Sequence, residues 1–369
     1  MPGPLVASLF VRIAFDVTAA GVSAGGIGRV TADQAAALAA RRDLDVRFVG
    51  DRSMPTGKVS RALRGVRREG WSYPVALPRR LRSVGAELVH FPAPMGSLRS
   101  PVPVVLSVYD VLPWKYPELF TRTNVRHQQH LVRRLTQSAD RIIASSHATR
   151  RDLMDILDLP GERIHVVPMG VNPQFGRRVD TEAVVRVAGI YGPYVLAVGT
   201  LEPRKNLVTT IAAVETLAHE GLDIPLVVAG GQGWRDQELR ARIAGSPARV
   251  IPVGRVSDDE LVALYSSASC LVFPSLYEGF GLPVLEAMAC GVPVIAADTT
   301  STPEVVGDAG ILVSPRDTEG IAAAIRAVVE SPDLTADLRA RGMARAAEFT
   351  WDRTTDLTIE VYRLALGRS

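Results

Sequence analysis

Between residues 270 and 297 the chain reads CLVFPSLYEGFGLPVLEAMACGVPVIAA, and this stretch restricts the available folds more than any other. The apolar run 270–274 reads as a strand, 275–282 as a glycine-rich turn, 283–289 as a helix, and 293–297 as a second strand. Gly279 and Gly281 leave backbone N–H groups unscreened, and Pro283 suits a first helical turn. A helix N-terminus offers N–H groups and partial positive charge, which together hold phosphate. Glu278 sits in the turn, while Glu286 lies in the helix among Val284, Leu285, Ala287 and Met288. A carboxylate in such apolar company is costly unless it accepts good hydrogen bonds. The two adjacent hydroxyls of a ribose would supply them, so the turn reads as a holder for a phosphate-bearing nucleotide. Two glutamates eight apart carry little weight alone; the interleaved glycines, the proline and the preceding strand make the signals converge.

Around that stretch the second half alternates strand and helix. Apolar runs at 194–198, 225–229, 250–253 and 310–313 read as further strands. Helical patterns fill 207–219, 235–244, 258–268 and 303–307. This is the pattern of a doubly wound parallel sheet. The loop GTLEPRKN, residues 199–206, follows one strand and precedes a helix. Arg204 and Lys205 there are placed to grip a diphosphate, because a cationic pair at a helix start opposes the dipole unless an anion joins it.

The first half has the same rhythm. Strands are predicted at 11–17, 46–49, 87–91, 102–108, 141–145 and 164–168, with clear helices at 30–40, 123–137 and 148–157. The glycine-rich turn AGGIGR, residues 24–29, follows the first strand as in Rossmann-like units. Its glycines at 25, 26 and 28 lack the dinucleotide spacing, and no acidic residue ends a second strand at the required distance. Residues 108–117 read as a loop leaving a strand end, and 172–185 as a linker. Asp43 and Asp45 form an Asp-x-Asp pair, but beside Arg41 and Arg42 they read as a solvated turn rather than a metal site.

Composition bears on partners. Through residue 172 there are 24 Lys and Arg against 14 Asp and Glu, a net +10; the remainder has 18 against 25, a net −7. Two domains with different partners fit that asymmetry. The segment 58–71 carries Val59, Leu63 and Val66 on one helical face and five basic residues on the other, with Arg79, Arg80 and Arg82 soon after. It reads equally as a solvated basic helix or as a face for anionic membrane or an acidic acceptor. No aromatic platform or recognition motif speaks for nucleic acid. Cys270 and Cys290 make neither a metal spacing nor a disulfide framework, which suits a cytoplasmic protein. The apolar run 5–17 is broken by Arg12 and has no basic leader, so it reads as a strand rather than a signal or a membrane span.

These stretches carry a resemblance. GGIGR, SHATRRDL at 146–153, RIHVVPMGVNPQF at 163–175, VGTLEPRKNL at 198–207, VFPSLYEGFGLPVLEAMACGVPVIA at 272–296 and STPEVVGDAG at 301–310 resemble family 4 of the nucleotide-sugar glycosyltransferases. The resemblance implies the GT-B fold, two Rossmann-like α/β domains facing a cleft. It implies an acceptor-binding domain at 1–172, a linker at 173–190, a donor-binding domain at 191–350 and a final helix from 351 returning to the first domain. It further implies a retaining hexosyltransferase needing no metal or other cofactor, with a nucleotide-sugar donor and a hydroxyl on a glycan, glycolipid or small molecule as acceptor. GDP-mannose is the leading donor by resemblance of the VGTLEPRKN and YEGFG blocks, with UDP- and dTDP-sugars close behind.

Residue by residue, the resemblance gives Lys205 and Arg204 the diphosphate, and Glu278 the sugar hydroxyls. Gly279, Phe280, Gly281 and Leu282 would cap sugar and phosphates by their backbone, and Glu286 would take the ribose diol. The base would lie near Val253, Gly254 and Arg255, and Gly26 and Gly28 would let the first domain's loop close over the phosphates. Two positions depart from the family pattern: Tyr109-Asp110 stands where relatives often have His-Asp, and Thr200 where many carry arginine. A tyrosine can still donate a hydrogen bond to the donor sugar. Two other readings share the twin sheets: a non-catalytic GT-B partner subunit, and a nicotinamide-dependent oxidoreductase, which needs the fingerprint absent here.

Overall fold

A computed structural model describes residues 11–22, 26–50, 68–177, 187–233 and 237–368. Gly25, most of the basic segment 58–71 and residues 178–186 of the expected linker lie outside the described residues. The chain divides into two compact units. Unit 1 comprises Met1–Trp114, Arg122–Gly170 and Trp351–Ser369, and unit 2 comprises Lys115–Thr121 and Val171–Thr350.

In unit 1 the elements run β1 (Arg12–Asp16), α1 (Thr18–Val22), α2 (Gly26–Ala40) and β2 (Asp45–Val49). After a π-helical stretch, Arg68–Ala76, come α3 (Leu77–Ser83), β3 (Leu88–Phe91), β4 (Val104–Val108), α4 (Leu112–Lys115) and α5 (Arg122–Ser138). The series continues with β5 (Arg141–Ala144), α6 (His147–Leu157) and β6 (Ile164–Val166). The six strands are all parallel in the order β2-β1-β3-β4-β5-β6. Every residue of β3 and β4 is buried, as expected of strands covered on both faces.

Unit 2 runs β7 (Val195–Val198), α7 (Leu207–His219), β8 (Leu226–Ala229), α8 (Gln237–Ala244), β9 (Val250–Gly254) and α9 (Asp258–Ser267). It continues through β10 (Cys270–Phe273), α10 (Leu282–Ala289), β11 (Val294–Ala297), α11 (Thr302–Val306) and β12 (Ile311–Val313). Two helices close it, α12 (Thr318–Glu330) and α13 (Pro332–Ala346). Its strands are also all parallel, ordered β12-β11-β10-β7-β8-β9. The order reverses between β7 and β10, the point at which such sheets leave a crevice beyond their carboxyl ends.

The last helix, α14 (Trp351–Ala365), belongs to unit 1 and packs on α2, β4 and β5. Its Val361 and Tyr362 join the core of β1 residues Ile13 and Phe15. Burying each of these two side chains contributes about 1.5–3 kcal/mol. Tyr362 also hydrogen-bonds through its hydroxyl to Nδ1 of the fully buried His90, 2.8 Å away, whose Nε2 meets Ser107 Oγ at 2.9 Å. Burial lowers the His90 pKa to about 3.

Three expectations need correcting. The turn expected at 24–29 is, from Gly26 onward, the first turn of α2. First-turn residues need no intrahelical donor bond, so glycine costs little there. Residues 108–117 are not all loop. Asp110 Oδ1 accepts from Leu112 N at 3.0 Å and starts the short α4, and residues 115–121 are grouped with unit 2 rather than unit 1. Asp43 and Asp45 are ion-paired rather than merely solvated: Arg41 Nε lies 2.8 Å from Asp43, and Arg12 Nε 2.6 Å from Asp45.

Candidate active site

Two loops meet at the β7/β10 switch point of unit 2. The first leaves β7 at Gly199, whose φ of +149° is glycine territory and whose missing Cβ would stand 2.9 Å from Lys205 Cε. One 3-10 turn, Pro203–Lys205, then ends at Asn206 in the left-handed region, φ +54°. The Asn206 amide donates to Pro274 O at 3.1 Å and also to Pro315 O, so its side chain bridges to the ends of two other strands. The second loop leaves β10, and Leu276 N donates to Arg204 O at 2.9 Å.

These ties bring Lys205 and Glu278 together across 73 positions of sequence. Lys205 Nζ donates to Glu278 Oε1 at 2.6 Å and lies 4.6 Å from the centre of the Phe273 ring. Arg204 NH1 reaches the same carboxylate oxygen at 2.7 Å. The two side chains of the lysine pair are about nine-tenths buried, at 10% and 11% exposure. Burial would raise the Glu278 pKa, but Lys205 and Arg204 outweigh it and hold it at about 2. Burial lowers the Lys205 pKa below its ordinary value, with Glu278 opposing the shift.

Arg204 is more heavily engaged than its neighbour. Its Nε and NH2 donate to Glu202 Oε1 at 2.9 and 2.6 Å, and NH1 donates to Tyr277 O at 2.7 Å. Most of its N–H donors are therefore spent on the protein, and it clamps the two loops together. The sequence held a signal for this in Glu202, two residues before Arg204.

The Glu278 backbone is held from the loop after β11. Its N–H donates to Thr300 Oγ1 at 3.1 Å, and Ser301 Oγ donates to Glu278 O and Phe280 O at 2.9 and 2.8 Å. Thr300 itself has φ +57°, a conformation that a β-branched residue adopts only when its surroundings hold it. Phe280 packs edge-on against Phe349, centroids 5.9 Å apart. Gly281, at φ +122°, is the N-cap of α10, which has no side-chain cap and carries a proline in its first turn. Tyr116, from the short segment grouped with this unit, donates to Leu276 O at 3.2 Å and lies beside Tyr277. Tyr116, Thr300 and Ser301 were not singled out from sequence; their partners are set by tertiary contact.

Glu286, on α10, is 3% exposed and accepts from Tyr265 Oη at 3.1 Å. That is the type of hydrogen bond its apolar neighbourhood demands, and sequence reasoning missed the donor. Val253, Gly254 and Arg255 lie at the carboxyl end of β9, where Gly254 O accepts from Gly230 N at 2.8 Å and Arg255 is exposed. Thr200 is exposed beside Gly199.

Within unit 1, Gly26 and Gly28 open α2, and Tyr109 and Asp110 follow β4. Tyr109 is buried, and burial raises its pKa. Its carbonyl accepts from Ser145 Oγ and Thr149 Oγ1 at 3.2 and 3.0 Å.

Residues 188–345 match the family model described as Glycosyl transferases group 1, and residues 24–175 match Glycosyltransferase Family 4. An Escherichia coli O-antigen chain mannosyltransferase B is 33% identical over 266 residues, covering 70% of each chain. The chain belongs to glycosyltransferase family 4. It shares 31% identity with an E. coli serotype-specific mannosyltransferase WbdA across 63% of its own length and 30% of that longer protein. Among solved structures, Anabaena HepE in complex with UDP aligns with a TM-score of 0.71 at 20% identity, over 96% of this chain and 100% of that one. Like that protein, this glycosyltransferase has the GT-B type of twin Rossmann-like units. Among its described residues no helix is long and apolar enough to cross a membrane.

Proposed function

We propose that the chain is a retaining, metal-independent hexosyltransferase that takes mannose from GDP-mannose and places it on a hydroxyl acceptor. The observation that carries this reading is the buried Lys205–Glu278 pair at the switch point of unit 2. The mannosyltransferase relatives support mannose, and the UDP complex of the structural neighbour supports a nucleoside-diphosphate carrier.

Lys205 has three N–H donors, one of which is spent on Glu278. The others would meet the donor diphosphate, while the uncapped start of α10 presents its partial positive charge. As the sugar–phosphate bond breaks, the sugar becomes cationic and the diphosphate gains negative charge. Fixed cations and N–H dipoles aimed at that diphosphate lower the barrier. The acceptor oxygen then forms its bond on the face the diphosphate leaves, and the departing phosphate oxygen takes the hydroxyl proton. Glu278 would orient sugar hydroxyls, and Glu286, supported by Tyr265, would accept from the ribose. Arg204 would serve chiefly by holding the two loops in register, with its diphosphate contact secondary.

The test is donor turnover by the purified chain. Lys205→Ala is expected to lower kcat by about 10²–10³, as removal of one oxyanion donor does. Near-normal turnover would refute the role of the lysine. A panel of nucleoside diphosphates screened for thermal stabilisation identifies the carrier, since a ligand of the native state raises Tm.

A further inference from the structure

Unit 1 holds a concavity that none of the candidate donor-site residues lines. Its volume is about 370 Å³, and Arg79, Arg82, Arg99 and Ser100 supply its polar wall. Arg79 and Arg82 are one turn apart on α3, so their side chains share a face of that helix. Arg99 enters from the loop before β4, where Ser97 Oγ both donates to Arg99 O at 2.6 Å and accepts from Arg99 N at 3.3 Å. The other walls are stiff: Pro74, Pro78 and Pro101 have fixed φ and little freedom to collapse inward.

Three guanidinium groups around one hollow repel one another, and ordinary protein surfaces relieve this with carboxylates. Here Arg79, Arg82 and Arg99 make no ion pair with any described residue. The Ser100 hydroxyl accepts from Val102 N at 3.2 Å, which leaves its own proton to donate. Every polar side chain lining the hollow is thus a donor, and three are permanently cationic. Planar N–H forks around a hollow of this size match the several oxygens of a phosphate ester or diphosphate, and the volume lies at the small end for ligand sites.

We propose that this pocket binds a phosphate or diphosphate group. Anion binding by the pocket stands independently of the glycosyl-transfer reading. The phosphate could come from a soluble sugar phosphate or from a lipid headgroup, and the experiment separates them.

Binding of a hexose 6-phosphate is measured by calorimetry on the full chain, and binding of phosphatidylglycerol vesicles, against phosphatidylcholine vesicles, by co-sedimentation. Each is repeated with Arg79→Ser/Arg82→Ser/Arg99→Ser and with Arg82→Glu alone, whose exposed positions leave folding intact. One lost arginine is expected to weaken binding about tenfold and the triple change to abolish it, as charge-assisted hydrogen bonds to one anion predict. Arginine-dependent binding of the hexose phosphate establishes a soluble source, and of the anionic vesicles alone a lipid source. Equal binding of both probes by wild type and triple variant overturns the proposal. Thermal stabilisation by GDP is followed in parallel. If it is absent while arginine-dependent phosphate binding is present, the donor reading fails and the pocket stands.

Discussion

Replacing Glu278 with glutamine should move binding and turnover in opposite directions. The Glu278 carboxylate pairs with Lys205 and Arg204, the cations assigned to the donor diphosphate in the proposed reading. Holding the Glu278 pKa at about 2 instead of the ordinary 4.5 corresponds to about 3 kcal/mol in favour of the charged form. Because the folded pKa is depressed, this stabilisation is present above the ordinary carboxylate value and is lost as pH falls towards 2. Glu278→Gln removes it at neutral pH and leaves two buried cations facing a neutral amide, at a cost of about 3 kcal/mol or somewhat more. For a unit of this size the Tm should fall by roughly 6–12 °C. A diphosphate then finds Lys205 without a competitor, so nucleoside-diphosphate affinity should rise, by at most about 10². Turnover of the nucleotide sugar should fall, since the sugar hydroxyls lose a charged acceptor. Calorimetry with GDP, differential scanning calorimetry and donor turnover read the three quantities. An unchanged Tm, or weaker GDP binding by the variant, would refute the competition between carboxylate and phosphate.

Glu286→Ala should chiefly raise the donor KM while leaving kcat within a fewfold, because it removes binding common to ground and transition states; an unchanged KM contradicts the ribose assignment. Donor turnover should persist in excess chelator, and activity lost to chelation and restored by a divalent ion would reverse that expectation. His90, neutral in the fold down to about pH 3, takes up a proton below about 6.5 once unfolded, so stability declines as pH falls through that window. The decline attributable to it is about 2 kcal/mol between pH 7 and 5. Urea titrations at the two pH values should show His90→Gln losing that component, and equal losses in both proteins would disprove it.

Much of the fold was legible because parallel strands buried on two faces are uninterrupted apolar runs. The runs at 270–274 and 293–297 became β10 and β11 with one residue trimmed from each, and the helix at 207–219 kept both ends. Glycine was less informative. It marks turns and also tolerates first helical turns, so the sequence around Gly26 and Gly28 did not distinguish the two. The two helices α12 and α13, whose sequences carry no site signal, were not anticipated. Residues 115–121 illustrate a different limit, since nothing local shows that a short segment of the first half folds with the second.

What the sequence determined by itself was local: alternating strand and helix, the glycine turns, and which loops hold cations and carboxylates. Those features follow from backbone preference and from apolar patterning over a few residues. Only the tertiary structure decided how those groups are spent. It set Lys205 against Glu278, committed most of Arg204 to Glu202 and Tyr277, supplied Tyr265 to Glu286, and pinned the Glu278 turn with Thr300 and Ser301. Except for Glu202, each of those partners lies 21 or more positions away. Strand order in the sheet, which no short window of sequence encodes, brings them within hydrogen-bonding reach.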